Sequence, residues 1–319
     1  MTSETPKIVA ITGASGYVGS RLLQQLEEKN LGKLVAIDTK PPPFPIHNIA
    51  IYRRDVEEPI DDLLRHHRVN TLVHLAFDSQ RSSNRAEVCR VRQRNLTALQ
   101  NTLDSCVRAG VGHVVYLSSH TIYGAHPDNP IPITEHAPLR PSSDFAFGYD
   151  KFLSDQIVTD FADHQNNIKV TILRPCAVLG PSAPRDLIRV FMHPRLVDTS
   201  GYNPFFQFLH EDDLAQLLTL LVMQAIPGVY NLAGEGVAFY QEITQMIQSK
   251  LPTLPPFVAT QIVKSTWRLG IQARSNRAEM DLLRYPILLS TVKLEQATGY
   301  HPRYTSLETL TAFTNSVLL

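Results

Sequence analysis

Short runs of mostly apolar, often β-branched residues recur along the first half of the chain, and segments with helical periodicity separate them. The runs occupy residues 7–11, 34–38, 71–75, 113–117 and 169–173. Strand-like and helix-like segments alternate in this way in βαβ units, where helices cover a parallel sheet. The pattern therefore predicts an α/β fold built on a doubly wound parallel sheet.

The intervening segments place apolar residues at the spacing of one helix face. The first such stripe comprises Val18, Leu22 and Leu26, and a later one comprises Val91, Asn95, Leu99, Leu103 and Val107. Each stripe is predicted to lie buried against the sheet.

The alternation weakens after about residue 175, where prolines become frequent. We therefore expect a first domain at residues 1–175 and a smaller, mixed substrate lobe at residues 176–319, with a strand near residues 229–232 that returns to the first sheet. An apolar cluster between residues 257 and 271 fits the core of this lobe. A pocket for an apolar substrate, or a membrane-surface contact, is the alternative for that cluster.

Charge and cysteine content narrow the class of partner. The 319 residues contain 30 Lys and Arg and 30 Asp and Glu, so no basic field favours nucleic acid or an anionic membrane. Cys89, Cys106 and Cys176 lie far apart and form no metal-binding pair. No metal site is predicted, and without a leader-like segment or an apolar run long enough for a bilayer we expect a cytoplasmic protein that binds a small molecule.

A glycine-rich segment follows the first predicted strand and precedes an amphipathic helix. Gly13 permits a tight turn, Gly16 lets the backbone approach a pyrophosphate, and Gly19 lets the helix pack closely on the strand. The free N–H groups and positive dipole end of that helix favour phosphate. Strand, glycines and helix together predict a Rossmann-type dinucleotide site, with Ser15, Tyr17 and Val18 in the same loop.

Asp38 ends the second predicted strand. A carboxylate there accepts hydrogen bonds from the adenosine ribose and repels a 2′-phosphate, which predicts NAD as the cofactor. Lys40, two residues further on, weakens this preference, and NADP stays the alternative.

Further motifs stand in a recognisable order along the chain. They are residues 12–19, Arg54-Asp55-Val56, His74-Leu75-Ala76, Asn95, residues 117–124, Leu173-Arg174-Pro175, Gly180-Pro181 and residues 208–214. With them the chain resembles the extended short-chain dehydrogenase/reductase family, also described as the NAD-dependent epimerase/dehydratase family, over nearly its whole length. The motifs are specific for the fold and much less so for the substrate.

The resemblance implies roles for several residues in holding the cofactor. Asp55 and Val56 would meet the adenine, Leu75 and Ala76 would line the dinucleotide channel, and Pro175 and Val178 would lie near the nicotinamide, with Ser118 and Lys151 also against the cofactor. Asn95 would organise the middle of the site. A buried amide on a helix also fits a purely structural hydrogen bond, so both interpretations of Asn95 stay open.

The catalytic motif departs from the family pattern. Members use Ser or Thr with Tyr and Lys. The tyrosine exchanges a proton with a substrate hydroxyl, and the lysine holds the nicotinamide ribose and lowers the pKa of the tyrosine. Ser119 and Lys151 match the serine and the lysine, whereas the tyrosine position, four residues before Lys151, holds Phe147. Tyr149 is turned about 200° away from Lys151 on an α-helix, which makes it a poor replacement.

His120 directly follows Ser119 and is the sequence's candidate for the missing acid or base, since imidazole titrates near neutral pH. A pocket-lining, hydrogen-bonded histidine is the alternative. His120 and Thr121 stand where related sugar dehydratases carry acidic residues, so the chain is not expected to be a 4,6-dehydratase.

Two functions remain open from the sequence. The first is an NAD-dependent oxidoreductase or epimerase that acts on a hydroxyl of a sugar nucleotide or similar alcohol through an altered proton relay. The second is a non-catalytic NAD-binding sensor, assembly factor or scaffold, which Phe147 motivates. The resemblance also implies a homodimer formed through the helices that carry Asn95 and Lys151.

Overall fold

A computed structural model describes residues 7–47, 49–79, 84–184, 204–246, 281–282 and 284–318 of the chain. The strands within these ranges are β1 Ile8–Thr12, β2 Lys33–Asp38, β3 Ile49–Arg53, β4 Thr71–His74, β5 His113–Leu117, β6 Lys169–Pro175, β7 Ala177–Leu179, β8 Phe205–Phe206, β9 Phe208–His210, β10 Gly228–Leu232 and β11 Ala238–Phe239. The α-helices are α1 Tyr17–Glu28, α2 Asp61–His67, α3 Arg85–Ala109, α4 Ala146–His164, α5 Glu211–Gln224, α6 Tyr240–Met246, α7 Val292–Thr298 and α8 Ser306–Leu318, and a 3₁₀-helix spans His120–Tyr123.

Seven strands form the central sheet in the order β10-β6-β5-β4-β1-β2-β3. All their pairings are parallel; Val9, for example, lies opposite Leu34 on one side and Thr71 on the other. The predicted doubly wound parallel sheet is confirmed. The chain moves outward from β1 to β3 and then restarts at β4 on the other side of β1, so a switch point lies between β1 and β4, where such sheets bind ligands.

The strand β3 was not expected from the sequence. Its side chains are half-buried or exposed because it lies at the edge of the sheet, so its sequence lacks the apolar character of the central strands. At the opposite edge, the strand β10 pairs with β6 in parallel, which puts residues 228–232 in the central sheet.

Helix α3 is longer than its apolar stripe. The Asn84 side chain caps its start by accepting a hydrogen bond from the Ala86 N–H, and Gly110, at φ 70°, ends it. The prediction that Val107 is buried was wrong, because 45% of this residue is exposed. Steps of four residues advance about 40° around a helix beyond each full turn, so a stripe that starts at Val91 has rotated away from the sheet by Val107.

Most of the C-terminal strands and helices lie outside the central sheet. The pairs β7/β9 and β8/β11 form two small sheets, and α8 contacts β9. The buried Asp213 carboxylate holds the loop before α8 by accepting hydrogen bonds from the Tyr300 hydroxyl at 3.0 Å, the Arg303 N–H at 3.0 Å and the Tyr304 N–H at 3.1 Å. The apolar cluster expected between residues 257 and 271 lies outside the described residues.

Candidate cofactor and catalytic site

The glycine-rich turn lies at the switch point between β1 and β4. The Gly13 N–H donates to the Ile37 carbonyl at 3.0 Å, and Gly13 has a φ of +68°. A Cβ atom on Gly13 would lie 2.6 Å from the Ala76 nitrogen. The first glycine is therefore required both by its backbone conformation and by the Leu75–Ala76 peptide packed against it.

The other two glycines of the turn face different surroundings. A Cβ atom on Gly19 would lie 2.2 Å from the Gly13 carbonyl oxygen, so this glycine brings α1 onto the turn. Gly16 is exposed, and a Cβ atom there would have only the Gly13 oxygen, at 3.2 Å, within 4 Å. The backbone at Gly16 is thus open on one side at the amino end of α1, as a cradle for phosphate requires.

Asp38 lies beside this turn, at the end of β2. Its Oδ2 accepts the Ser15 N–H at 2.9 Å, and its Oδ1 accepts the Lys40 N–H at 3.1 Å. The Ser15 hydroxyl also donates to the Lys40 carbonyl at 2.6 Å. The carboxylate therefore orders the loop after β2 against the turn, in addition to the ribose contact that the sequence predicts for it.

Asn95 holds the loop that follows β4. Its Oδ1 accepts the Asp78 N–H at 2.8 Å and its Nδ2 donates to the Asp78 carbonyl at 3.0 Å. Nearby, Val56 is buried, and Asp55 lies 3.7 Å from the Arg94 guanidinium. These hydrogen bonds fit the structural interpretation of Asn95. Asp55 and Val56 lie on the loop after β3, and their contact with the adenine stays a prediction.

Tyr17 links the glycine-rich turn to the C-terminal part of the chain. Its hydroxyl donates to Glu211 Oε2 at 2.7 Å, and the same buried carboxylate accepts the Ser182 N–H at 3.1 and 3.2 Å. Burial raises the pKa of the Tyr17 phenol far above its usual value, and Glu211 raises it further. The sequence carried no local signal for this link, because its two partners are separated by 194 positions.

Lys151 lies under the carboxyl end of β5. Its Nζ donates to the Leu117 carbonyl at 2.7 Å and lies 4.0 Å from the ring centre of Phe77 and 5.3 Å from that of Tyr116. The residue is 7% exposed. Burial lowers the pKa of the Lys151 ammonium from 10.5 to about 7, although the Asp155 carboxylate acts in the opposite direction.

The Asp155 carboxylate is already bound to another cation. Its two oxygens accept hydrogen bonds from Arg174 at 2.7 and 3.1 Å, and both side chains are buried. Arg174 also donates to the Tyr123 hydroxyl at 3.1 Å, which in turn donates to Asn231 Oδ1 at 2.7 Å. Arg174 therefore ties Asp155 to strand β10, and the carboxylate that raises the pKa of Lys151 is already paired with this guanidinium.

Phe147 stands one helical turn before Lys151 on α4. Its ring centre lies 5.7 Å from that of Phe77, edge to face, and 6.0 Å from that of Phe145. Position 147 is thus surrounded by aromatic rings. Tyr149 instead contacts Arg92, whose guanidinium carbon lies 4.9 Å from the centre of the tyrosine ring, as its different helix face predicts.

Ser119 and His120 begin the short 3₁₀-helix after β5. Ser119 Oγ accepts hydrogen bonds from the Thr121 N–H at 3.3 Å and the Thr121 hydroxyl at 3.0 Å. His120 Nδ1 lies 3.2 Å from the Pro175 carbonyl oxygen, which only accepts, so we assign the ring hydrogen to Nδ1. Burial lowers the pKa of His120 to about 4, so its imidazole is neutral and weakly basic at neutral pH.

The residues that the sequence predicts near the nicotinamide lie at the carboxyl ends of β5 and β6 and just beyond them. The buried Ser118 hydroxyl has no hydrogen-bond partner among the described residues. Pro175 ends β6, and Val178 follows in β7 and is half-buried. An unpartnered buried hydroxyl at one end and the open Gly16 backbone at the other fit a dinucleotide that bridges them. Within the described ranges, no group of three or more His, Cys, Asp or Glu is arranged to hold a metal ion.

A parallel sheet with a glycine-rich turn at its switch point defines a dinucleotide-binding α/β protein. More narrowly, the chain belongs to the NAD-dependent epimerase/dehydratase family, whose sequence model matches residues 9–233. The family is NAD-dependent, so the cofactor is NAD, as expected from the sequence.

Known relatives agree with this assignment. An uncharacterized protein of Mycobacterium tuberculosis is 26% identical over 312 residues, which cover 95% of this chain and 82% of that protein. The UDP-glucose 4-epimerase of Azospirillum brasilense is 26% identical over 193 residues, covering 56% of this chain and 51% of the enzyme.

Solved structures are similar to this chain in fold. MoeE5 in complex with UDP-glucuronic acid and NAD has a TM-score of 0.74 at 23% identity, with 97% of this chain and 98% of that one covered. The Thermus thermophilus UDP-glucose 4-epimerase in complex with NAD also has a TM-score of 0.74, at 19% identity, with 98% and 99% covered.

Proposed function

We propose that the chain is an NAD-dependent oxidoreductase or epimerase that acts on a hydroxyl of a sugar nucleotide or similar alcohol. The observation that carries the proposal is the buried Lys151 amine under the end of β5. It donates to the carbonyl of Leu117, which stands two residues before Ser119 in the chain. A purely structural lysine at this depth would cost free energy without a carboxylate partner. The sugar-nucleotide relatives and the shared fold support the substrate class.

The cofactor would lie along the carboxyl edge of the sheet. In this proposal Gly13, Ser15, Gly16, Tyr17 and Val18 hold the pyrophosphate, and Asp38 binds the adenosine ribose. Asp55 and Val56 contact the adenine, and Leu75, Ala76 and Asn95 shape the channel between them. The remaining cofactor residues at the nicotinamide end are Ser118, Lys151, Pro175 and Val178.

When bound, NAD⁺ would be the oxidant for the substrate carbon that bears the hydroxyl. The protein must then remove or return the hydroxyl proton, and it must do so without a phenol at position 147. Three polar groups surround that position in the proposal: the Ser119 hydroxyl, the neutral His120 imidazole and the Lys151 amine. Ser119 orients the substrate hydroxyl, and His120, with Nδ1 bound to the Pro175 carbonyl, presents Nε2 as an acceptor.

A non-catalytic NAD-binding role is the second candidate, as a sensor, assembly factor or scaffold. The observation that favours it is Phe147 among the rings of Phe77 and Phe145, where an enzyme of this family carries its phenol. In that case the site would bind NAD and a sugar nucleotide without turnover.

One experiment separates the two candidates. UDP-glucose, UDP-galactose and UDP-glucuronic acid are incubated with NAD and the wild-type chain, and nicotinamide reduction and epimer formation are followed by absorbance and chromatography. Turnover by the wild-type chain supports the enzyme. Tight NAD binding with turnover only in Phe147→Tyr supports the binding protein, and no turnover in either chain argues against sugar-nucleotide chemistry.

We also propose that the chain is a cytoplasmic homodimer. Helices α3 and α4 pack together and leave a shallow groove of about 490 Å³ between them, lined by Val107 and Phe161 among others. The exposed side of Val107 would be covered by a second copy of this helix pair. The three cysteines are free thiols, which fits a reducing compartment. Among the described residues no helix has both the length and the apolar character to cross a bilayer. Light scattering of the wild type and Val107→Glu tests the interface.

A further inference from the structure

We propose that the Lys151 amine itself exchanges the proton with the substrate hydroxyl, in place of the phenol that Phe147 lacks. This inference rests on the function proposed above and names the group that performs its acid–base step. It differs from the family's use of the lysine, which the resemblance assigns to the nicotinamide ribose and to the pKa of the tyrosine.

The first argument is the position of the amine. Phe77 contacts both residues: its ring centre lies 4.0 Å from Lys151 Nζ and 5.7 Å from the centre of the Phe147 ring. Residues four apart also share a helix face, so the amine lies next to the place that a phenol at position 147 would occupy. Replacement of the phenol by a ring without a polar atom leaves two polar side chains near position 147 on α4: the Lys151 amine, and the Asp150 carboxylate, which is paired with Arg92.

The second argument is the charge balance around Lys151. The Asp155 carboxylate raises the pKa of Lys151, but both of its oxygens accept hydrogen bonds from the buried Arg174, at 2.7 and 3.1 Å. The hydrogen-bond partner of Nζ among the described residues is the neutral Leu117 carbonyl. An ammonium in this position is poorly compensated, so the neutral amine, which has a lone pair for a proton, becomes accessible near neutral pH.

The other groups that face Lys151 do not change this balance. From β4, His74 is held neutral because burial, and secondly the Lys151 charge, lower its pKa to about 3. From β5, burial raises the pKa of Tyr116 far above its usual value, so the phenol stays neutral. The neighbouring Asp150 on α4 forms an ion pair with Arg92 from α3. Burial therefore lowers the pKa of Lys151, and Asp155 is the charged group that partly offsets it.

The pKa values favour Lys151 over His120 as the acid–base group. With a pKa of about 7, about half of the Lys151 side chains are neutral at pH 7, against roughly 0.04% for a lysine at its ordinary pKa near 10.4. His120 has a pKa of about 4, so its basicity lies well below that of the amine. An effective acid–base group has a pKa near the working pH, which Lys151 satisfies.

The step balances as a proton transfer coupled to alcohol oxidation. The neutral amine accepts the hydroxyl proton, so that an O–H bond breaks and an N–H bond forms. The electron pair left on oxygen forms the carbonyl as the C–H bond breaks, and bound NAD⁺ would be the oxidant that takes up the hydrogen and electron pair of that C–H bond. If the hydrogen and its electron pair then returned to the opposite face of the carbonyl carbon while the ammonium returned its proton to the oxygen, the product would be the epimer, without net oxidation.

The first test needs no cofactor and no substrate. The chain has only nine lysines, so the side-chain NMR signal of Lys151 in the isotope-labelled protein can be assigned with Lys151→Arg. We expect a titration midpoint of about 7 in the wild type. Asp155→Asn should lower the midpoint, because it removes the carboxylate that raises it, and Arg174→Met should raise the midpoint, because it frees that carboxylate. Lys169→Arg, at an exposed site on β6, is the control and should leave the titration midpoint of Lys151 unchanged.

The second test is the pH profile of turnover with the most active sugar nucleotide of the panel. We expect kcat for alcohol oxidation to rise to a plateau with a midpoint near 7, and this midpoint should shift in the same two directions in Asp155→Asn and Arg174→Met. Lys151→Arg keeps a cation but no usable base, so kcat should fall by about 10²- to 10⁴-fold. His120→Gln should leave the midpoint unchanged. Should Arg174→Met fail to fold, the double variant Asp155→Asn/Arg174→Met replaces it, with a midpoint below that of the wild type.

The outcomes separate this inference from the proposed function. Wild-type turnover with an unaltered kcat in Lys151→Arg, or a Lys151 midpoint above 10, overturns the role of the amine and leaves the oxidoreductase in place. A pH midpoint that follows His120→Gln does the same. Absence of turnover in the wild type, with NAD bound, removes the proposed function and with it the catalytic role of Lys151, whatever the NMR midpoint.

Discussion

Single alanine substitutions at three glycines should separate the stability of the glycine-rich turn from its ability to bind a dinucleotide. A methyl group on Gly19 would meet the Gly13 carbonyl oxygen at 2.2 Å and the Ala14 Cα at 2.9 Å, both of them backbone atoms that cannot rotate away. Overpacking of this kind costs about 1–3 kcal/mol. Alanine regains up to about 1 kcal/mol as the better helix former, so the net loss for Gly19→Ala is about 1–2 kcal/mol.

Gly16→Ala should behave differently. Gly16 has a φ of −71°, which any residue adopts, and its new methyl group would meet only the Gly13 oxygen, at 3.2 Å. The free energy of unfolding should therefore stay within about 0.5 kcal/mol of the wild type, as for most uncrowded surface positions. Because the methyl group points into the open side of the turn, the dissociation constant of NAD should rise at least tenfold, or about 1.4 kcal/mol.

Gly110→Ala is the matched control for a loss of stability alone. Gly110 has a φ of +70° at the end of α3, and no atom lies within 4 Å of a Cβ atom built there. Left-handed backbone costs alanine about 1–2 kcal/mol, similar to the loss in Gly19→Ala. The site is outside the turn, so NAD affinity should stay at the wild-type value.

Urea unfolding and calorimetric titration with NAD measure the two quantities separately. We expect Gly19→Ala to lose both stability and affinity, Gly16→Ala to lose only affinity, and Gly110→Ala to lose only stability. Equal losses of NAD affinity in Gly19→Ala and Gly110→Ala would show that binding merely follows stability. Wild-type affinity in Gly16→Ala would refute the assignment of the phosphates to this turn.

Three further predictions concern buried polar groups. Asn95→Leu should weaken NAD binding and destabilise the chain by about 1–3 kcal/mol, because the Asp78 backbone loses two hydrogen bonds. Urea unfolding measures the loss of stability, and Gln93→Leu, on the exposed face of α3, is the control. Tyr17→Phe removes the hydrogen bond to Glu211 and should cost about 1 kcal/mol, and an unchanged urea midpoint would contradict the link. Acid should destabilise the fold below pH 6.5, because the unfolded chain then binds protons at His74 and His113, whereas burial lowers their pKa values in the folded chain to about 3 and 4. Urea unfolding at pH 7 and at pH 5 tests this, and equal midpoints would refute it.

The sequence alone was sufficient for the elements whose signals are local. Strand periodicity and glycine spacing depend on neighbours within a few residues, so the parallel sheet and the turn at Gly13 could be predicted before the structure was known. The same holds for Phe147, because the spacing of the catalytic motif is a property of one helix. The edge strand β3 was missed, since a half-exposed strand lacks an apolar run.

Tertiary structure decided the chemistry of the side chains. Asn95 meets Asp78 across 17 positions, Arg174 binds Asp155 across 19, and Tyr17 reaches Glu211 across 194. Burial makes His120 a weak base. Burial of Lys151, near a carboxylate that Arg174 already binds, makes its amine a better candidate for the acid–base group than the sequence indicated. The physical reason is that a pKa depends on the solvent and charges surrounding a group, and these are set by residues far away along the chain.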